Sequence, residues 1–277
     1  MSISAPPKGV NNLKSARIEE NAYAEEEALP KKALITGATS GIGLAFLKLL
    51  VSKGIQVLAT GRNQEVLDSL GCKTLNLDLE KDRTALINWI RDEAPDLVVN
   101  NAGFGFYGKA IDIPIKDQLA MVEVNNKALL EITLEAVHTW LRKGKRGVVL
   151  NVASGAAFQP FPTFAVYAAT KAFVVNLSEG LDQELSSRGI RVLASCPGMV
   201  KTNFQKRASG NTSERSSRFM TPEYAAERLW EQVLKEKRVD IFDWRYLFLV
   251  RFGQFFLPNR WIGAFLKRFI GMTQKHR

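Results

Sequence analysis

Histidine is scarce in this chain: only His138 and His276 occur among 277 residues. A Ser-His-Asp hydrolase or a His-ligated metal centre needs imidazole at its heart, so both classes are disfavoured and any reactive serine needs another partner. Cysteine is equally sparse. Cys72 and Cys196 show no metal-ligand spacing and sit in apolar, strand-like surroundings, which argues for two reduced packing residues rather than a disulfide framework or a zinc site. No stretch reaches the roughly 18 uncharged apolar residues of a spanning helix. Residues 1–30 have neither an apolar signal core nor a small-residue cleavage site, and their Glu25-Glu26-Glu27 patch is unlike a transit peptide rich in Arg and Ser. A mobile polar leader and cytoplasmic residence are the expectation.

Apolar residues make up 46% of the chain, enough to bury one substantial core in a single α/β domain of this length. From residue 31 onward, short apolar runs alternate with amphipathic stretches. The runs 33–36, 56–60, 74–77, 96–100, 147–152 and 191–195 read as buried strands, each near-continuously apolar as parallel strands are. Helices are predicted over 42–52, 64–70, 82–93, 115–141 and 163–187. A further helix over 222–235 and a short strand over 238–242 complete a doubly wound parallel sheet. The domain reading is therefore a leader (1–30), a catalytic domain (31–243) and a C-terminal extension (244–277).

Two clusters carry chemistry. The turn Thr36-Gly-Ala-Thr-Ser-Gly-Ile-Gly43 follows the first predicted strand and opens the first helix. Gly37, Gly41 and Gly43 permit tight backbone geometry there, and the exposed N–H groups with the helix dipole favour a pyrophosphate. Downstream, Tyr167 and Lys171 stand four apart in Val166-Tyr-Ala-Ala-Thr-Lys171, with Ser154 thirteen residues upstream. On a helix this spacing makes the phenol and the ammonium neighbours. A nearby cation is expected to lower the tyrosine from its ordinary pKa of about 10 towards a useful acid-base range.

With these motifs in order, the chain resembles a classical short-chain dehydrogenase/reductase from about residue 31 to 242. The resemblance rests on Thr36-Gly-x-x-x-Gly-x-Gly43, Asn100-Asn-Ala-Gly103, Ser154, Tyr167-x-x-x-Lys171, Asn125 and Pro197-Gly198-Met-Val-Lys-Thr202. One departure is Ala128, where the family often has glycine. The resemblance implies a Rossmann fold and an NAD(P)-dependent enzyme interconverting a carbonyl and a secondary alcohol, with Asn125, Ser154, Tyr167 and Lys171 as its catalytic set. Ser154 and Tyr167 would meet the substrate oxygen, and Lys171 would also hold the nicotinamide ribose. Asn125, with Asn126 beside it, would hold a water on a proton path to Lys171. Cofactor contacts are expected at Thr36, Gly37, Ser40, Gly41, Ile42 and Gly43 in the turn. Others fall at Asp78 and Leu79, at Asn101, Ala102 and Gly103, at Tyr167 and Lys171, and at Pro197, Gly198, Val200 and Thr202. No metal is expected. Association as a homo-dimer or tetramer through the helices at 115–141 and 163–187 is also implied.

Cofactor choice turns on the end of the second predicted strand, Ala59-Thr-Gly-Arg-Asn63. A carboxylate there accepts both ribose hydroxyls of NAD(H), whereas a 2′-phosphate needs that acid gone and a cation nearby. Gly61 and Arg62 stand in those places, and arginine's planar fork suits phosphate, so NADP(H) is favoured. Phe158, Phe161, Pro162 and Phe164 read either as an apolar pocket wall, favouring a hydrophobic substrate, or as ordinary packing. Residues 205–218 are polar, basic and turn-rich, suited to a substrate lid.

The extension from Trp244 carries seven Lys or Arg and no acid, more than half of the net charge of +10. Ile262, Phe265, Leu266, Phe269 and Ile270 recur in it at helical spacing, off which lie Lys267 and Arg268. That stripe fits either an anionic membrane surface or a pocket or subunit boundary of the protein. A nucleic-acid role is disfavoured, because the charge is gathered in an aromatic tail and in no recognised binding module. A catalytically silent NADP-binding regulatory or membrane-surface protein is the alternative function.

Overall fold

The computed structural model describes residues 29–204, 208, 219–243 and 248. The elements below all lie in the unit Lys31–Arg277; residues 1–28, most of the predicted lid and, Phe248 apart, the C-terminal extension lie outside the described residues. Seven strands form one sheet: β1 Lys32–Ile35, β2 Gln56–Gly61, β3 Lys73–Asn76, β4 Leu97–Asn100, β5 Gly147–Val152, β6 Ile190–Cys196 and β7 Val239–Ile241. Their order is β3-β2-β1-β4-β5-β6-β7, and every pairing is parallel. The doubly wound α/β sheet expected from the alternating pattern is present.

Helices α1 Gly41–Ser52, α2 Gln64–Asp68, α3 Thr84–Glu93, α4 Ile115–Val122, α5 Leu129–Lys143, α6 Ala165–Leu185 and α7 Pro222–Leu234 make the connections among the described residues. Their ends follow local chemistry. Asn63 accepts from the Val66 N–H at the start of α2, and Thr221 accepts from Tyr224 N–H ahead of Pro222 at the start of α7, each satisfying an orphan donor of a first turn. Gly144, at φ 61°, ends α5 in the left-handed conformation that glycine adopts without steric cost.

The sheet's period of two sorts its apolar residues onto two faces. Ala33 and Ile35 of β1, with Val99 and Leu150, meet Phe46 and Leu50 of α1 and Leu229, Trp230 and Val233 of α7. Leu34, Val98, Val149 and Val192 face the other way, against Leu86 and Ile90 of α3 and Ile132, Val137 and Trp140 of α5. Trp140 anchors that layer: its indole N–H donates to Pro95 O at 2.8 Å, and the absent side chain of Gly147 makes room for its ring.

The single helix predicted over 115–141 is interrupted. Glu123–Ala128 adopts π register between α4 and α5, the kind of one-residue widening that concentrates at functional sites. It carries Asn125 and Asn126. Winding reverses between β1 and β4, and in doubly wound sheets a ligand crevice lies outside the carboxyl ends of the strands at that point. The glycine turn leaves β1 and the Asn101–Gly103 segment leaves β4, so both reach it. No helix among the described residues is long and apolar enough to cross a membrane.

Candidate active site

A cleft of about 740 Å³ opens over the carboxyl ends of the strands. At one end lies the turn after β1. Gly37 and Gly41 have φ of +66° and +55°, values an L side chain resists. A Cβ on Gly37 would lie 2.9 Å from Ala102 Cα, and one on Gly41 would lie 2.9 Å from Thr202 Cγ2. Backbone is therefore all that can face the cleft at these positions. Ser40 precedes α1 without a side-chain cap bond, so the first-turn N–H groups and the helix dipole are presented to whatever lies in front of them. This bare, donor-rich cradle fits a dinucleotide pyrophosphate.

Ser40, Ile42, Asn101, Ala102, Gly103, Pro197, Gly198, Val200 and Thr202 line the same cleft. Thr36 and Gly43 do not; they build the cradle from behind. The Thr36 hydroxyl oxygen accepts from the N–H groups of Asn101 and Ala102, at 3.2 and 3.1 Å. The Asn101 amide donates at 3.0 Å to the carbonyls of Thr36 and Gly37. Gly43 has to be glycine because its Cβ would lie 2.3 Å from Asn101 Nδ2 and 2.4 Å from Gly37 O.

At the β2 side, Gly61, Arg62, Asp78 and Leu79 line the cleft. Arg62 is largely exposed and stands 3.9 Å from Asp78, a loose contact of small energetic consequence. The sequence reading missed Thr39. Its Cγ2 lies 2.4 Å from where a Gly61 Cβ would be, so this threonine occupies the place of any side chain at position 61.

The opposite end holds Ser154, Tyr167 and Lys171. Ser154 ends the segment after β5 and accepts from Ala156 N–H at 3.2 Å; with a lone pair so used, its O–H remains to donate. Lys171, 4% exposed, donates from Nζ to Val152 O at 2.8 Å, and its Nζ lies 5.7 Å from the centre of the Tyr167 ring. Burial pulls the lysine down to about 8. Burial also dominates at Tyr167 and pushes the phenol above its ordinary range, while a hydrogen bond with Ser154 pulls it back. The expectation that Lys171 makes this tyrosine acidic therefore needs correction. Helical spacing brings the two side chains together, but the ammonium is directed to a strand carbonyl and loss of water outweighs its influence.

Asn125 is fully buried and does not open on the cleft. Its amide donates to Phe104 O at 2.9 Å and Thr170 Oγ1 at 3.1 Å, and its oxygen accepts from Phe104 N–H at 3.1 Å. Both amide protons are thus committed, and the side chain clamps the loop after β4 against α6. Asn126 donates to Thr170 O at 2.9 Å. Asn125 Oδ1 and Lys171 Nζ lie 3.0 and 3.4 Å from where a Gly103 side chain would begin, which puts both beneath that glycine.

An aromatic wall completes this end. Phe161 and Phe164 belong to it, and Phe104, Tyr107 and Phe204 join them. Phe158 instead packs with Val174 and Leu129 in a separate core cluster, and Pro162 does not line the cleft. The run Phe104-Gly-Phe-Tyr107 directly after the Asn101–Gly103 segment was the available signal for Phe104 and Tyr107. Among the described residues there is no cluster of groups that could hold a metal.

The sequence matches the short chain dehydrogenase family over residues 31–212. It is 36% identical over 196 residues to a serine 3-dehydrogenase of Agrobacterium fabrum, covering 66% of this chain and 77% of that one. Among solved structures, a short-chain dehydrogenase from Sphingobium yanoikuyae in complex with NADPH superposes with a TM-score of 0.73 at 26% identity, over 90% of this chain and 96% of that one. The closed form of a serine dehydrogenase complexed with NADP+ gives 0.66 at 29% identity, over 72% and 88%. The chain belongs to the short-chain dehydrogenase family and is an NAD(P)-dependent oxidoreductase that interconverts an alcohol and a carbonyl.

Proposed function

We propose that this protein is an NADP(H)-dependent reductase of hydrophobic ketones or aldehydes, with Tyr167 as its proton donor. The observation that carries the reading is the convergence of Ser154, Tyr167 and Lys171 at one end of a cleft whose other end is a side-chain-free cradle. A nicotinamide nucleotide held by that cradle would supply the hydride. The chain's own residues handle the oxygen. Ser154 donates its O–H to the substrate carbonyl oxygen, stabilising charge where it develops. Tyr167 transfers the phenolic proton to that oxygen, a positioned acid being worth about 10²–10⁴-fold. Burial keeps the phenol protonated, the form from which a proton is donated in reduction. Lys171 lies beneath Gly103 beside the ring and is assigned to the ribose, and Asn125 to holding the loop after β4.

Preference for NADP(H) is supported at position 61. No carboxylate stands there and Thr39 leaves no room for one, while Arg62 follows with a largely free guanidinium suited to a 2′-phosphate. The similar Sphingobium dehydrogenase and the serine dehydrogenase were solved with NADPH and NADP+ respectively. A hydrophobic substrate is supported by Phe104, Tyr107, Phe161, Phe164 and Phe204 on the cleft wall. Among the described residues lining the cleft, the only cations are Arg62, at the β2 side, and Lys171, committed to Val152. Among these described residues an amino-acid carboxylate finds no uncommitted cation at the Tyr167 end. Association with further copies is supported by Ile115, Leu119 and Val122, exposed along one face of α4. A panel of lipophilic and charged carbonyls assayed with NADPH and NADH tests the reading. Faster turnover of neutral aromatic ketones with NADPH is expected; preference for NADH, or for carboxylated substrates, would refute it.

A further inference from the structure

We infer that Phe164 and Gly105 are positioning residues that fix the Tyr167 ring at the cleft, Phe164 by stacking on it and Gly105 by leaving the space the stack needs. The inference rests on the assignment of Tyr167 as the proton donor. Phe164 immediately precedes α6 and is 4% exposed. Its ring stacks on Tyr167 with centroids 4.2 Å apart and planes 24° from parallel, and on Tyr107 at 4.0 Å and 17°. The three rings form one continuous stack from the loop after β4 to the first turn of α6. Gly108 N–H donates to Thr163 O at 2.8 Å, closing that loop onto the segment before the helix.

Gly105 sits where the loop presses on both rings. A Cβ there would lie 2.8 Å from Tyr167 Cδ2 and 2.9 Å from Phe164 Cε2, closer than van der Waals contact allows, so any side chain would displace the stack. Glycine is required here by space, with no call on its backbone freedom. Phe204 meets Tyr167 at 5.4 Å, tilted by 55°. A hydrogen bond with Ser154 acts on the phenolic oxygen, which leaves the ring's rotation about its own bonds to be set by the stack. Proton transfer is sensitive to that setting, since misplacement by about 1 Å costs on the order of 10²-fold in rate.

The stack also excludes water from the phenol. Facing that group are Tyr107 from the loop after β4, Cys196 at the end of β6 and the Ser154 hydroxyl, with Lys171 Nζ on the same helix. Removing an aromatic face therefore lets water in and moves the tyrosine's titration down towards its ordinary range.

The test uses full-length protein carrying Phe164→Met, which conserves volume, Gly105→Ala, and Phe164→Tyr as the aromatic rescue. Three readouts are taken: kcat with a carbonyl that the wild type reduces, NADPH Kd by fluorescence titration, and the Tyr167 titration by NMR of Cζ-labelled tyrosine, assigned through Tyr167→Phe. Phe164→Met and Gly105→Ala are expected to lower kcat about 10- to 100-fold at unchanged NADPH Kd, with the titration moved down; Phe164→Tyr stays within threefold of wild type. The inference is overturned if Phe164→Met leaves kcat and the titration where they were, or if Phe164→Tyr falls as far as Phe164→Met. The NMR arm needs no substrate, so it decides the inference even if no carbonyl in the panel is reduced, an outcome that would count against the proposed activity alone. Should Gly105→Ala fail to fold, the two Phe164 variants decide.

Discussion

Replacing Lys171 by methionine is expected to stabilise this protein at neutral pH while abolishing its turnover. The Lys171 side chain is 4% exposed and makes one hydrogen bond, to Val152 O. Burial holds it at about 8 against an ordinary 10.5, a gap that corresponds to about 3 kcal/mol at 1.36 kcal/mol per unit. The sign follows from proton counting. Between pH 8 and 10.5 the unfolded chain binds more protons at this residue than the folded one, so stability rises with pH across that window. Below pH 8 the lysine is charged in both states, and the whole cost of burying that charge falls on the fold. Methionine removes the cost but leaves Val152 O without its donor, a loss of about 1 kcal/mol. The net gain at pH 7 is about 2 kcal/mol, vanishing near pH 10 as the wild-type lysine becomes neutral. Urea denaturation of both proteins from pH 6.5 to 10 measures the difference directly. A variant less stable at pH 7, or a difference that does not change with pH, would refute the reasoning. The expected result places Lys171 among residues kept for function at the expense of stability.

Three further outcomes follow from the geometry. Arg62→Asp should raise the NADPH KM by at least tenfold with little change for NADH, since it exchanges a phosphate partner for a repelling charge; steady-state kinetics with both cofactors reads this. Gly61→Asp alone should lower Tm without creating an NADH enzyme, because its Cβ would meet Thr39 Cγ2 at 2.4 Å, whereas Thr39→Gly with Gly61→Asp should gain NADH turnover. Asp182 is fully buried and receives Arg191, Arg238 and the Val192 N–H, so Asp182→Asn should cost about 3 kcal/mol. Burial opposes the charge, but the hydrogen bonds from the two arginines outweigh it and hold the carboxyl below 3.8. The wild-type advantage should thus be complete above that pH and shrink as pH falls through the folded-state value, as acid titration of both proteins would show.

The central strands were legible because a parallel strand covered on both faces carries a near-continuous apolar run, as Leu97–Asn100 does with all four residues buried. The cradle was legible because a close backbone approach can be met only by glycine, and Gly37, Gly41 and Gly43 each have no room for a Cβ. The π register over Glu123–Ala128 was not legible: one extra residue in a turn leaves the apolar spacing on either side intact. Phe104, Tyr107 and Phe204 reach the aromatic wall from two different loops, an assembly no local pattern encodes. Phe158 shows the converse, an aromatic near the site in sequence whose side of the segment faces the core. Spacing placed Tyr167 beside Lys171 correctly, yet their acidities depend on how much water the tertiary packing removes, and that depends on residues such as Phe164 and Gly105, distant from Lys171 in pattern if not in space.

The central claim is that the Tyr167 phenol gives its proton to a carbonyl oxygen beside the nucleotide cradle. Single-turnover reduction of a lipophilic ketone by Tyr167→Phe, with NADPH binding measured in the same samples, tests it most directly. A fall in rate of at least about 10²-fold at unchanged NADPH Kd is predicted, and turnover within a few-fold of wild type would contradict the account.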